Sequence, residues 1–136
     1  MTEYLAGYLD GEGCIRWQGN RAYVSITNTY PRTLHELARR YKGNVRSLKV
    51  GKDVHRTVFR WEATGRHAVR FLRVVRKFLQ EKRRQADIVV ELSSIGCTPD
   101  TCYVKSLIQE LNQLKRIDYG RQTKAEGIDR RGHPDP

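Results

Sequence analysis

Apolar positions in the first third of this chain switch between a helical and an alternating period, and the switches mark out the elements. Over residues 2–11, Leu5, Ala6, Tyr8 and Leu9 recur at helical spacing, with Thr2 as the candidate N-cap. Residues 12–18 and 21–30 predict two strands, joined by a hairpin turn at Gly19-Asn20. In the second strand Ala22, Val24 and Ile26 alternate with Tyr23, Ser25 and Thr27, as in a sheet with one buried and one polar face. Pro31 ends that strand. Leu34, Leu37, Ala38 and Tyr41 then define a helix over 32–42, with Gly43 as its terminator. A second hairpin is predicted over 44–50 and 54–63, around Gly51-Lys52-Asp53; Thr57, Phe59 and Trp61 alternate there with Arg56, Val58, Arg60 and Glu62. Helix returns over 66–79 with Val69, Phe71, Leu72, Val75 and Leu79, and over about 82–94 with Ala86, Val89, Val90 and Leu92. Cys97-Thr98-Pro99 breaks it, and Asp100 or Thr101 caps a last helix reaching about residue 117.

Helix, two strands, helix, two strands and then helices is an α+β order with a four-stranded antiparallel sheet and its helices on one face. No internal repeat is present. Residues 1–118 are expected to form one domain, and the polar stretch 119–136 a flexible tail.

Composition narrows the partner. The 136 residues suffice for one domain with a real core. Twenty-six Lys and Arg against fifteen Asp and Glu leave a net charge of +11, which favours a polyanion, since each cation placed on a phosphate releases condensed counterions. No apolar run is long enough to span a membrane, and no basic segment precedes an apolar one as in a secretory signal. The expectation is an intracellular nucleic-acid binder with no membrane partner, in the cytoplasm or nucleoid of a prokaryote or in an organelle. Cys14, Cys97 and Cys102 fit neither a disulfide framework nor a zinc site, and with His35, His55, His67 and His133 scattered they are read as reduced structural thiols.

The most informative run is Leu5-Ala6-Gly7-Tyr8-Leu9-Asp10-Gly11-Glu12-Gly13. Gly7 and Gly11 stand one turn apart on one helix face, so a second backbone can approach closely there. Asp10 and Glu12 fall at the end, where an acidic oxygen can hold a hard cation. These nine residues closely resemble the motif that names the LAGLIDADG homing endonucleases, sequence-specific DNA-cleaving proteins. Residues 5 to about 94 also resemble that family's αββαββα core, with the last helix as a C-terminal addition.

The polar strand positions form a second constellation: Arg16, Gln18, Tyr23, Ser25, Thr27, Arg56, Arg60 and Glu62. Guanidinium and amide groups suit bidentate bonds to base edges, and a two-stranded ribbon fits the major groove. The same set also fits a wetted sheet face with cross-strand ion pairs; the motif favours DNA readout. The strand over 44–50 alternates poorly and leaves the facing of Arg46 and Lys49 open. Between residues 66 and 84 eight Lys or Arg meet the single Glu81. Arg66, Arg70, Arg73, Arg76 and Lys77 read as a solvated helix face, whereas Lys82, Arg83 and Arg84 at a helix junction are better placed for phosphates.

Phosphodiester hydrolysis needs an activated water and stabilised charge on the phosphate and leaving oxygens, which a divalent ion held by carboxylates supplies. Magnesium needs few protein ligands, so one carboxylate per subunit is enough, but one Glu12 is too little for a duplex cut. The resemblance implies the rest. Single-motif members are homodimers whose motif helices form the interface, here Leu5, Ala6, Gly7, Leu9 and Asp10, with Asp10 also bracing the helix end. Glu12 would be the metal ligand, the Gly11 carbonyl a secondary one, and Mg2+ or another divalent cation the cofactor. Aligning the motif-distal segments puts Asn28, Arg32 and Lys82 beside the scissile phosphates; Asn28 departs from the glutamine expected there. The implied activity is metal-dependent cleavage of a long pseudo-palindromic duplex site, leaving 3′ overhangs. The host element (intron, intein or free-standing) is left open. The alternatives are a non-cleaving DNA-binding protein or intron maturase derived from this family, and a small basic RNA-associated protein.

Overall fold

The structure, a computed structural model, describes residues 1–49, 57–95 and 101–126, with side chains for all of these except Lys49 and residues 117–126. The predicted turn at Gly51-Lys52-Asp53, the strand residue Arg56 and the break at Cys97-Thr98-Pro99 lie outside those residues. The chain divides into two units, Met1–Thr98 and Pro99–Pro136.

The first unit runs α1 (Thr2–Glu12), β1 (Gly13–Gln18), β2 (Arg21–Asn28), α2 (Arg32–Tyr41), β3 (Asn44–Lys49), β4 (Thr57–Thr64), α3 (Gly65–Val75), a 3-10 turn (Arg76–Phe78) and α4 (Arg83–Ile95). The strands form one antiparallel sheet in the order β1-β2-β4-β3. Both hairpins are therefore folded outward, and β2 and β4, the return strands of each, meet at the centre. The α+β expectation holds element by element.

Cross-strand register divides the sheet cleanly. Ile15 pairs with Val24, Val24 with Ala63, and Ile26 with Trp61. Ile15, Val24, Ile26 and Trp61 are completely buried and Ala63 is nearly so. Onto this side α1, α2, α3 and α4 pack through Leu5, Leu9, Leu34, Leu37, Phe71, Leu72, Ile88 and Val89, all buried. Phe71 meets Trp61 edge-on at 5.1 Å and Tyr41 at 5.0 Å. Such aromatic pairs are worth about 1 kcal/mol beyond their buried area. The Trp61 indole N–H, taken out of water, donates to the Lys42 carbonyl at 2.8 Å.

Two turns fix the strand geometry. Gly19 and Asn20 have φ of 57° and 64°, the doubly left-handed turn whose twist matches a two-residue hairpin. Gly43, at φ 87°, turns α2 into β3, and a Cβ there would lie 2.3 Å from the Glu62 carbonyl oxygen. Glycine is thus required at 43 for conformation and for space together.

Several boundaries differ from expectation. Met1, not Thr2, is the α1 N-cap, and Thr2 begins the helix. Glu12 closes α1 instead of opening β1, and β2 stops at Asn28, two residues short. The helix expected over 66–79 is α3 followed by the 3-10 turn, after which Leu79 turns extended. In the second unit α5 spans Cys102–Glu126, past the expected end near 117. The Val104 amide donates to Thr101 Oγ1 at 3.3 Å, so Thr101 is the cap. Cys14 and Cys102 are free thiols.

Candidate active site and nucleic-acid interface

The motif helix α1 has two unlike sides. Leu5, Ala6 and Leu9 are 1% exposed or less and face the chain's own sheet and helices. Glu3, Gly7 and Gly11 lie on the other side, exposed, and a Cβ built on either glycine meets nothing within 4 Å. A groove runs along this side, lined by Glu3, Gly7, Asp10, Gly11, Phe78, Gln80 and Glu81. This corrects the expected interface set. A helix in a four-helix layer must commit its leucines to the sheet, so Leu5, Ala6 and Leu9 are core, and the small and acidic side is open together with Tyr4.

Asp10 is an internal brace. Its Oδ2 accepts the Gln80 amide at 2.8 Å and its Oδ1 the Lys82 amide at 3.0 Å, while Lys82 Nζ donates to the Asp10 carbonyl at 2.7 Å. These bonds clamp the last turn of α1 to the turn before α4 across about seventy residues of sequence. Lys82, only 7% exposed, is held with its ammonium under the end of the motif. Asp10→Ala is expected to lower stability by about 1–3 kcal/mol, because two backbone donors lose their acceptor. Asp10→Asn, which keeps one acceptor oxygen, should fall between, and urea unfolding of the three proteins checks the order.

Glu12 contrasts with its neighbour. It is exposed, and among the described residues no cation lies within ion-pair distance of its carboxylate. One turn earlier on α1, Tyr8 lies between Glu12 and Asn28. Burial, then Tyr4 and Glu12, push its phenol pKa up, while a hydrogen bond from Asn28 pulls the other way. Asn28 Oδ1 meanwhile accepts the Tyr30 amide at 3.1 Å. So the structure groups Glu12, Tyr8 and Asn28 at the α1–β1 junction, with the Asp10–Lys82 clamp two residues from Glu12 on the chain. Arg32 opens α2, is exposed and makes no hydrogen bond or ion pair among the described residues. Tyr8 was read from sequence only as an apolar helical position; its i, i+4 spacing from Glu12 was the available signal.

The sheet's second face is polar. Register sets Arg16 opposite Tyr23, Gln18 opposite Arg21, Ser25 opposite Glu62, Thr27 opposite Arg60, and Arg46 opposite Arg60. Arg16, Gln18, Tyr23, Thr27, Arg60 and Glu62 therefore share one face as expected, while Ser25 in the same row is 7% exposed, screened in the sheet centre. Arg21, Asn44 and Thr64 join them and were missed, and Arg46, whose facing the sequence left open, joins them too. Arg46 ion-pairs with Glu62 Oε1, to which Arg60 also lies at 3.7 Å, and Arg60 Nε donates to Thr27 Oγ1 at 3.3 Å. The Arg16 guanidinium stands 5.5 Å above the Tyr23 ring. Exposed ion pairs like these add little stability, but they hold guanidinium forks in fixed orientation.

No family model and no curated protein matches this chain by sequence. Solved structures do match. I-CvuI homing endonuclease in complex with its target in the presence of calcium aligns at TM-score 0.64 and 19% identity over 83% of this chain and 80% of that one. The same enzyme with the I-CreI target and magnesium, its DNA not cleaved, gives 0.64 and 20% over the same shares. The archaeal intron-encoded homing endonuclease I-Vdi141I complexed with DNA gives 0.61 and 18% over 83% and 82%. The architecture is a four-stranded antiparallel sheet covered on one side by helices, the fold in which these DNA-bound endonucleases are built. The chain has the LAGLIDADG homing endonuclease fold.

Proposed function

We propose that the protein is a site-specific double-stranded DNA endonuclease that acts as a homodimer on a pseudo-palindromic site, depends on a divalent metal and leaves 3′ overhangs. The observation that carries this is Glu12: a solvent-facing carboxylate without a cationic partner among the described residues, at the end of a helix whose glycine side is left open. Two such helices packed about a two-fold axis bring two Glu12 side chains together, and the site must then share the approximate symmetry.

The donors present fit a hard cation. Glu12 offers carboxylate oxygens and Gly11 a carbonyl, with substrate phosphates as the remaining ligands. A divalent ion bound there would polarise the scissile phosphate and lower the pKa of a bound water. The chain's own groups position and neutralise. The Lys82 ammonium, fixed by the Asp10 carbonyl, adds positive charge beneath the motif end, and Asn28 and Tyr8 present an amide and a phenol beside Glu12 that can orient water. Arg32 extends free into solvent, where it can meet a phosphate. The sheet face supplies the reading heads: Arg16, Arg46 and Arg60 for guanine edges, Gln18 for adenine, and Glu62 as an acceptor for cytosine. Incubating the protein with a randomised duplex library and magnesium, then sequencing the ends, tests this. Ends clustered at one pseudo-palindromic motif with 3′ overhangs are expected. Specific binding without cutting would point to a non-cleaving relative, and neither would overturn the reading.

A further inference from the structure

The net charge of +11 is not spent on the sheet face. Four arginines there, Arg16, Arg21, Arg46 and Arg60, meet Glu62, whereas residues 65–87 alone hold eight Lys or Arg against Glu81 and Asp87. On α3 and the 3-10 turn, Arg66, Arg70, Arg73 and Lys77 recur at i, i+4, i+7 and i+11, which is a single helical stripe. All four are exposed. Because α3 turns Phe71, Leu72 and Val75 onto the apolar side of the sheet, the stripe points away from the polar strand face. Where it ends, Arg73 and Lys77 join Arg76 and Arg83 around a surface hollow in which Asp87, 3.9 Å from Arg76, is the only acid among the described residues.

A face kept charged for solubility mixes its signs, as α2 does here. Glu36 bridges Arg39 at 2.6 Å and Arg40 at 2.9 Å, and those bonds, Arg39's first, hold its carboxyl down to about 2. On α3 no acid is placed among the cations. Arg66 also sits in the first turn, where the helix dipole opposes it. Among the described residues no carboxylate pairs with Arg66, Arg70, Arg73, Lys77 or Arg83. Like charges at i, i+4 repel, so the stripe works against its own helix unless a polyanion neutralises it. Its length, eleven residues at about 1.5 Å rise, is roughly 16 Å, enough to follow several consecutive phosphates on a nucleic-acid strand.

We propose that the α3 stripe and the adjoining Arg76–Arg83 hollow are a second nucleic-acid-binding surface, taking the phosphodiester backbone of a segment other than the one read by the sheet. The proposal does not depend on cleavage. Its chemistry is shared by duplex DNA and structured RNA, so both are tested.

The test compares the unmutated protein, a stripe variant (Arg66→Gln, Arg70→Gln, Arg73→Gln and Lys77→Gln) and a sheet variant (Arg16→Gln, Arg46→Gln and Arg60→Gln). Fluorescence anisotropy with a labelled random-sequence duplex DNA and a labelled RNA hairpin is measured from low to moderate salt. Circular dichroism verifies folding, and the stripe variant, relieved of repulsion, should melt no lower than the unmutated protein. The sheet variant is expected to keep binding at least one of the probes. Adding the stripe substitutions to it should weaken that residual binding at least about tenfold and reduce the salt slope by roughly 3. Preference for the hairpin or for the duplex identifies the source. Residual binding and salt slope unchanged by the stripe substitutions would overturn the proposal. So would a stripe that captures anionic vesicles but neither nucleic acid.

Discussion

Glu12→Gln should lower the rate of double-strand cleavage by at least about 10³-fold in magnesium while leaving duplex affinity within a few-fold. Glutamine preserves the shape of the side chain and removes the charge, so it deletes the carboxylate ligand proposed for a hard cation without disturbing the groove. A loss of this size matches the removal of a group that acts mainly in the transition state, where mutational costs of about 10²–10³ per donor are usual. Because Glu12 has no cationic partner among the described residues, stability should stay within about 0.5 kcal/mol. That separates it from Asp10, whose replacement is expected to act through folding. Single-turnover cleavage of the selected site, with thermal melts of the same preparations, decides the matter. A Glu12→Gln protein that still cuts at the unmutated rate would remove Glu12 from the chemistry.

The fold was legible because each element announces its period. Ala22, Val24 and Ile26 against Tyr23, Ser25 and Thr27 identified β2, and every one of those three apolar residues is buried. The Gly19-Asn20 pair identified its turn, since only such residues take two positive φ angles in succession. What sequence could not supply was pairing between distant strands. Arg46 was undecidable from a strand that alternates poorly, and only the β3–β4 register, setting it opposite Arg60, assigns its face. Likewise nothing local in Asp10 or Lys82 says that they meet, because their contact depends on how α1 and the start of α4 are laid over one sheet. The motif was legible as a pattern of residue types but misread in its sidedness. Leucines at helical spacing look equally ready for a partner and for a core, and the sheet claims them first.

That sidedness makes Gly7 the sharpest probe of assembly. Gly7→Glu should yield a folded protomer of 15.8 kDa where the unmutated protein is expected to sediment at twice that mass. A Cβ at this position meets nothing within 4 Å among the described residues, so the substitution costs the protomer no packing there. Glutamate in a helix interior is better by about 0.5–1 kcal/mol than glycine, so the isolated chain should be no less stable. Across a two-fold axis the consequences reverse. A long side chain would separate backbones that the small-residue groove admits, and two carboxylates would face each other beside the two Glu12 groups. Losing about 2 kcal/mol or more at such a contact weakens association at least about 30-fold. In the proposed dimer double-strand cleavage would draw on both copies of Glu12, so it should fall with the dimer population, and raising the protein concentration should restore part of it. Gly7→Ala, adding one methyl to the same groove, should fall between. Sedimentation velocity at several concentrations, run beside the cleavage assay, reads both effects. If Gly7→Glu remained dimeric, the second copy would have to dock elsewhere, and the two glutamates would no longer share a site.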